Sequence, residues 1–575
     1  MNLLEALKII NRSGSAPGKP FRVTLICGFT PLHLETFLTA HIASNRPQAG
    51  VTISHGLYGD LAGNLERCKP SEMDAAAVVI EWADLDPRLG ARSSGGWDPH
   101  RLPDILQCVR RQLQRIGRAL NLLTHQPVAV SFPTLPVPPV SYTRPAHLSE
   151  FEAELHAELA SFAASLGAQP HLRVLSTLEV DRRSPFVLRG DLKSELAAGF
   201  PYSLAHADEM ARLLAGLLYL PARKKGLITD LDDTLWRGIL GEIGAAEVSW
   251  SLEGHAQVHG LYQQLLASLA ASGTLVGVAS KNEPDLVNEA FARRDLLLAP
   301  ERVFPIESNW GAKSQSIARI LKVWNIGPDA VVFVDDSPME LAEVQAAYPD
   351  LECVVFPKDD PTGVWNLLLH LRESFGIARL QIEDSLRSQS LRSQVSFQAE
   401  IQGSPAGLDT FLEHADAEIT FTYSKWADLR AFELVNKTNQ FNLNGERLSE
   451  SEWNSLIESE GRFVLRVAYK DRFGSLGTIA VLIGTSGGGL VTIDYWVMSC
   501  RAFSRRIEHR CLAWVFDHFG VGEVALRFVS TARNGPLQEF LATLLGPPPW
   551  ESLHITRAVF QEKCPVLYHS VLETA

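Results

Sequence analysis

Residues 226–242 read GLITDLDDTLWRGILGE, and within them Asp230 and Asp232 stand one residue apart at the end of an apolar run, with Thr234 two positions further on. Alternate side chains of a strand share a face, so the two carboxylates project to the same side, and a loop that curls directly afterwards can turn both towards one ligand. Paired carboxylates so placed suit a magnesium-assisted phosphoryl transfer, in which one attacks or binds metal while the other handles the proton. The same pair also fits a strand end running into a solvated turn, so the decision rests on the rest of the chain.

Three further stretches carry matching chemistry. TLVGVASKNEP is a strand of small and β-branched residues ending at Ser280, followed by Lys281 and Asn282; a hydroxyl there can bond a phosphate oxygen, and the backbone N–H groups of the next helix start add to that site. SNWGAKSQSIARILKVW puts Lys313 near a helix start, and DAVVFVDDSPMEL is an apolar strand ending in Asp335 and Asp336. In an open parallel sheet the ligand crevice lies outside the carboxyl ends of the strands, so these side chains are expected to converge. Like-charged carboxylates gathered there need a cation, which points to Mg2+.

In this order and spacing the four motifs resemble the haloacid dehalogenase (HAD) superfamily of aspartate-nucleophile phosphohydrolases. The resemblance implies that Asp230 takes the phosphoryl group, that Asp232 is general acid and base, and that Lys313 neutralises charge on nucleophile and phosphate. It also implies phosphate-side contacts from Thr234, Ser280, Lys281 and Asn282, and Mg2+ held among Asp230, Asp232, Asp335 and Asp336. About forty-five residues separate the first motif from Ser280 and about thirty separate Ser280 from Lys313, little more than the connecting helices need, so no large lid domain is expected.

The elements around these motifs predict a multidomain α/β chain. Its 575 residues are too many for one core. From Phe21, FRVTLICGF, PLHLETFLTAHIA, GVTISHGLYGDL, AAAVVIEWADLDP, ILQCVRRQLQRIGRALNLLTH and PVAVSF alternate strand and helix, which predicts a parallel sheet covered by helices over 1–215; the proline-rich TLPVPPVSYTRP is read as a loop. This domain resembles the SGNH-hydrolase fold, yet CGFTPLHLE after the first strand offers Cys27 and Thr30 and no serine nucleophile. A docking or structural role is expected, with His33 and His55 in surface or packing positions. The central HAD-like, Rossmannoid parallel sheet is placed at 220–372, and a helical connector at 373–400 in which Glu383, Asp384 and Arg387 form surface pairs. Residues 401–575 read as two strand pairs followed by helix, strand and helix, a mixed α/β domain.

Together DLDDTLWRGILGE, NKTNQFNLN (436–444), KDRFGSLG (470–477) and SCRAFSRRIE (499–508) resemble the FkbH-like family of HAD proteins, subfamily IIIC, and STARNGPLQEFL resembles a late segment of the N-acetyltransferase (GNAT) fold. That resemblance implies an enzyme of polyketide or related secondary metabolism, which removes phosphate from 1,3-bisphosphoglycerate and loads the glyceryl unit onto the phosphopantetheine thiol of an acyl carrier protein. Loading needs an acyl acceptor, and Cys500, with Arg501, Arg505 and Arg506 nearby, is the candidate; a buried packing thiol is the alternative, which Cys511 fits better. Asn436, Lys437, Asn439, Gln440 and Asn442 are polar candidates for recognition, or else turn-forming residues. GNAT proteins grip a pyrophosphate with RxxGxG or RxxGxA, but here Ser504 and Arg506 occupy the glycine positions after Arg501, so ordinary coenzyme A binding is not expected. Alternatives are a phosphatase of another phosphorylated metabolite or a phosphoprotein, and a noncatalytic scaffold that binds the carrier protein.

A formal net charge of -13 argues against broad nucleic-acid binding. The 7 cysteines form no CxxC pair, which reads as reduced thiols, and the absence of a long apolar run or a secretory signal points to a cytoplasmic protein without a membrane partner.

Overall fold

The computed structural model describes residues 1–13, 18–46, 49–94, 97–124, 126–219, 223–377, 391–392, 409, 412–423, 429–438, 440–472, 474–499, 502–531, 533–550 and 553–574. These form two units: Met1–Pro221 with Ser449–Ser455, and Ala222–Leu448 with Leu456–Ala575.

The first unit is built on five strands: β1 (Gly18–Cys27), β2 (Ala49–His55), β3 (Ala75–Val79), β4 (Val128–Ser131) and β5 (Leu172–Val174), in the order β2-β1-β3-β4-β5. Every pairing is parallel. β3 is wholly buried and reads AAAVV, a continuous small apolar run of the kind a sheet covered on both faces requires. Helix Leu102–Leu120 covers one face with Ile105, Leu106, Val109, Leu113 and Ile116, one stripe at helical spacing. Helices Leu32–Asn45 and Leu204–Leu218 bury Leu34, Phe37, Met210 and Leu214 in the core on the other face. The segment read as a proline-rich loop contains no strand.

The second unit holds two sheets. In the first, β6 (Gly226–Thr229), β7 (Leu275–Ser280), β8 (Val303–Ser308), β9 (Val331–Asp335) and β10 (Glu352–Val355) lie in the order β10-β9-β6-β7-β8, all parallel. β6, β7 and β9 are buried along their whole length. After β6 the chain fills one side with β7 and β8, then crosses to the other with β9 and β10. The crevice at the carboxyl end of β6 is therefore the topological switch point, where such sheets bind ligands.

Trp324 seats helix Lys313–Trp324 on this sheet. Its Nε1 donates to the Phe304 carbonyl at 2.8 Å, and its ring lies on two glycines of the sheet. A Cβ on Gly226 would come within 2.4 Å of the ring and one on Gly277 within 2.8 Å, so both strands need glycine there.

The second sheet of this unit contains β11 (Glu418–Tyr423), β12 (Phe441–Asn442), β13 (Arg462–Asp471), β14 (Gly474–Gly487), β15 (Leu490–Met498), β16 (Glu523–Leu526), β17 (His554–Thr556) and β18 (Ser570–Thr574). Its order is β17-β16-β15-β14-β13-β11-β18, with β12 paired to β15. β13, β14 and β15 are an antiparallel meander, whereas β15 and β16 run parallel and are joined through helix Ile507–Phe519. This is the expected mixed α/β architecture. Among the described residues, no helix is long and apolar enough to cross a membrane.

Candidate active site

Three strand ends of the parallel sheet in the second unit and the start of helix Lys313–Trp324 bring carboxylates, a lysine and a hydroxyl together. Asp230 follows β6, and its N–H donates to the Val334 carbonyl of β9 at 2.9 Å, tying it to the strand that ends in Asp335. Asp230, Lys313 and Asp335 are all buried. Lys313 Nζ lies 2.5 Å from Asp335 Oδ2 and 3.0 Å from Asp230 Oδ1; the first contact is a hydrogen bond, the second an ion pair without hydrogen-bond geometry. Asp335 is fixed further by the Ser337 N–H, which donates to Oδ1 at 2.8 Å. Burial disfavours the charge of Lys313, but Asp230 and Asp335 outweigh it and hold the ammonium above its usual range. Burial pushes Asp230 and Asp335 up, and Lys313 only partly opposes it.

Ligand atoms of Asp230, Asp335 and Asp336 all lie within 4.8 Å of one another, and among the described residues this is the grouping of His, Cys, Asp or Glu that has the geometry to hold a metal ion. Asp230 Oδ1 is buried and accepts no hydrogen bond. Lys313 offsets part of the charge, but one ammonium among three carboxylates leaves an excess of negative charge that a hard, oxygen-seeking cation fits. Asp232, expected among the metal ligands, is not in this group. Its Oδ1 accepts from Trp236 Nε1 and the Leu240 N–H, both at 3.1 Å, and its Oδ2 accepts from Asn282 Nδ2 at 3.0 Å. These three donors fix the orientation of the carboxylate.

The residues expected on the phosphate side divide. Ser280 and Asn282 stand beside the acids: Asn282 Nδ2 donates to Ser280 Oγ at 3.1 Å as well as to Asp232, and Ser308 Oγ donates to the Asn282 carbonyl at 2.6 Å. Lys281 is engaged elsewhere, with Nζ 2.8 Å from Glu340 Oε1. Thr234 has no exposed surface, and its hydroxyl accepts from the Asp336 N–H at 3.1 Å. The backbone enters the left-handed region just before it, at Asp233 with φ 52°, and Thr234 braces the loop that carries Asp336.

Sequence reasoning missed Asp233 and Lys358. Lys358 Nζ bridges Asp233 Oδ2 at 2.7 Å and Asp336 Oδ2 at 2.8 Å, and Asp233 Oδ1 accepts from the Gly238 N–H at 2.8 Å. The signal was available, since Lys358 follows β10 just as the other site residues follow their strands.

Elsewhere the expectations fared differently. Cys500, Arg501, Asn439, Glu383, Asp384 and Arg387 lie outside the described residues. Arg505 is wholly buried and pairs with Asp471 at 3.1 Å, Arg506 pairs with Asp409 at 2.7 Å, and Cys511 is buried. The polar candidates of 436–444 that are described serve the local fold. Asn436 exchanges two hydrogen bonds with the Leu448 backbone, Lys437 pairs with Glu433, Gln440 exchanges two with Asn325, and Asn442 Oδ1 accepts from the N–H groups of Asn444 and Gly445. In the first unit His55 pairs with Glu35 at 3.0 Å and His33 meets the Phe200 ring edge-on at 5.5 Å, the surface and packing roles expected of them.

No protein-family model matches the chain, and no curated protein matches it significantly. Among solved structures, it is similar to the N-terminal part of the protein BF1531 from Bacteroides fragilis, which contains a phosphatase domain and was crystallised with Mg. That likeness covers 66% of this chain and 100% of that one at 19% identity, with a TM-score of 0.52. It shows a shared fold. A GCN5-related glucosamine N-acetyltransferase region of a fungal multi-domain β-N-acetylglucosaminidase is also matched, over 93% of this chain and 64% of that one at 12% identity, but its TM-score of 0.14 is too low to indicate a common fold.

Proposed function

We propose that the parallel sheet of the second unit carries a Mg2+-dependent phosphohydrolase of the HAD type. The observation that supports this most is the convergence of Asp230, Asp335 and Asp336 beside Lys313, with Asp230 Oδ1 buried and accepting no hydrogen bond. The shared fold with a phosphatase-containing structure crystallised with Mg agrees with it. Asp230, Asp335 and Asp336 would hold the ion, which when bound neutralises charge on the transferred phosphoryl group. Asp230 attacks phosphorus, forming the aspartyl-phosphate bond as the leaving-group oxygen departs. Asp232 gives that oxygen a proton and later takes one from the water that releases phosphate. Lys313 keeps positive charge beside Asp230 through both steps, and Ser280 offers its hydroxyl to a phosphate oxygen.

The substrate we propose is 1,3-bisphosphoglycerate: Asp230 takes the 3-phosphate, while the Cys500 thiolate displaces the 1-phosphate from the acyl carbon to form a thioester, and the phosphopantetheine thiol of an acyl carrier protein then takes the glyceryl unit and releases Cys500 as the thiol. The motifs at 436–444, 470–477 and 499–508 support this through their resemblance to the FkbH-like family. Incubating the full chain with 1,3-bisphosphoglycerate, Mg2+ and holo carrier protein should release phosphate and raise the carrier's mass by one glyceryl unit. Asp230→Asn should abolish release of the 3-phosphate, and Cys500→Ser should block the mass gain together with release of the 1-phosphate. Phosphate release without any mass gain in the unmodified protein would leave a phosphatase of another metabolite or of a phosphoprotein. Full activity of Asp230→Asn would remove the hydrolase and favour a scaffold.

A further inference from the structure

The carboxyl edge of the first unit's sheet holds a cavity of 380 Å³ that the phosphoryl chemistry does not use. It is lined by Gly28 and Phe29 after β1, Tyr58 and Gly59 after β2, and Glu81 with Asp84 after β3. β1 lies between β2 and β3, so the cavity sits at the switch point of this sheet, the position at which doubly wound sheets bind ligands. Its volume is within the range of about 300–1,000 Å³ that small-molecule sites occupy. Phe29, Trp82, Leu89 and Leu135 give it apolar walls, and Trp82 is pinned by Nε1 donating to the Leu135 carbonyl at 2.7 Å.

The polar groups in these walls are unbalanced. Three carboxylates line the cavity, from Glu81, Asp84 and Glu195, against one guanidinium, from Arg92. Glu81 is satisfied by neutral donors: its Oε1 accepts from Tyr202 Oη at 2.7 Å, Thr134 Oγ1 at 2.8 Å and the Thr134 N–H at 3.1 Å. Arg92 donates to the backbone carbonyls of Glu195 and Leu196, lies over the Tyr58 ring, and stands 3.5 Å from Glu195 Oε1. Asp84 accepts at Oδ2 from the Glu81 N–H at 2.8 Å, while Oδ1 lies where a Cβ on Gly28 would come to 1.7 Å; glycine at 28 is what lets this carboxylate reach in. Glu195 Oε2 is buried and accepts no hydrogen bond. Glu195 is also near enough to Asp84 for its charge to add to the upward push that burial gives Asp84.

We propose that this cavity binds a small primary amine with an apolar body, its ammonium held by Asp84 and Glu195 and its body against Phe29 and Trp82. An ammonium brings three donors and no acceptor, so it can serve Glu195 Oε2, which accepts no hydrogen bond, and Asp84 together. An anionic ligand would add like charge to an acidic cavity. A neutral alcohol offers a single donor.

Calorimetric titration of the full chain with phenethylamine, 2-phenylethanol and phenylacetate tests this. Phenethylamine should bind one saturable site at least ten-fold more tightly than the alcohol, and phenylacetate should not bind. Glu195→Gln, an isosteric change on the largely exposed helix Leu192–Ala198, and Asp84→Asn should each weaken the amine at least ten-fold, with circular dichroism unchanged. Equal binding of the three probes, no binding of phenethylamine, or wild-type affinity in both variants overturns the proposal.

Discussion

Asn282 donates from one amide nitrogen to both Asp232 and Ser280, so a single side chain orients the proposed acid–base carboxylate and the phosphate-facing hydroxyl. Asn282→Ala should therefore lower kcat by about 10–100-fold, the usual effect of removing a partner that orients a site residue. It should leave the Mg2+ dependence in place, because Asp232 lies outside the three clustered carboxylates; steady-state kinetics over pH and Mg2+ concentration would show both. In the first unit, burial raises the Asp84 carboxyl to about 7, with Glu81 and Glu195 adding to the shift. The native protein then binds more protons here than the unfolded chain between about pH 4 and 7, so the stability due to Asp84 is present in acid and lost as pH rises through that window. His206, held neutral by burial with its pKa lowered to about 3, acts in the opposite sense below about pH 6.5. The difference between wild type and Asp84→Asn isolates the effect: thermal midpoints should nearly coincide in acid, where both side chains are neutral, and diverge above about pH 7, wild type lower, because only wild type then buries a charge. At this scale the sequence revealed the chemistry-bearing residues that end strands, Asp230, Ser280 and Asp335, because strand ends converge whatever the details of the loops. The bond from the Asp336 N–H to Thr234 was not legible, because it follows a left-handed turn at Asp233 that alternation of side chains does not foretell.

Two elements decide more than their lengths suggest. Helix Lys313–Trp324 begins with the proposed active-site lysine and ends on the tryptophan that packs on Gly226 and Gly277. Trp324→Ala should cost about 3–5 kcal/mol of stability, as truncation of a large buried aromatic does, and denaturant unfolding of the full chain would measure it. The two-residue strand β12 matters for a different reason. β14 pairs along the whole of β15, from Gly487 opposite Leu490 to Ala480 opposite Met498, so β12 and β16 must share the other edge. β16 pairs with residues 490–493, and β12 pairs with Val497 and Met498, while the Leu443 N–H takes the Trp496 carbonyl at 3.0 Å. A ligand that hydrogen-bonds to this edge as an added strand finds it occupied. With Arg505 paired to Asp471 and Arg506 to Asp409 at the start of the following helix, coenzyme A should show no binding to the full chain at millimolar concentration in a calorimetric titration. Strand and helix periodicity made these elements legible; the pairing of β12 did not follow from it, since two residues carry no period.

At the scale of the whole chain, the proposed metal site and the proposed amine cavity fall in different units. Any ligand that binds only the native state stabilises it by RT ln(1 + [L]/Kd), about 2.7 kcal/mol at a hundred times Kd. Binding in one unit should raise the transition of that unit and leave the other in place if the two unfold separately. Scanning calorimetry of the full chain should then show one transition that rises with Mg2+ and returns with a chelator, and another that does not respond. Trp324→Ala should lower the responsive transition and Asp335→Asn should abolish its response, since Asp335 belongs to the three clustered carboxylates. Sequence length indicated several domains, but the return of Ser449–Ser455 to the first unit could not be read from composition, because contacts distant in sequence decide it. That return makes the assignment of transitions a sharper test than truncation, which would remove part of one unit along with the other. A Mg2+ response confined to the transition that Trp324→Ala lowers would locate the ion at the Asp230 sheet; a response in the other transition, or none in either, would count against the metal site.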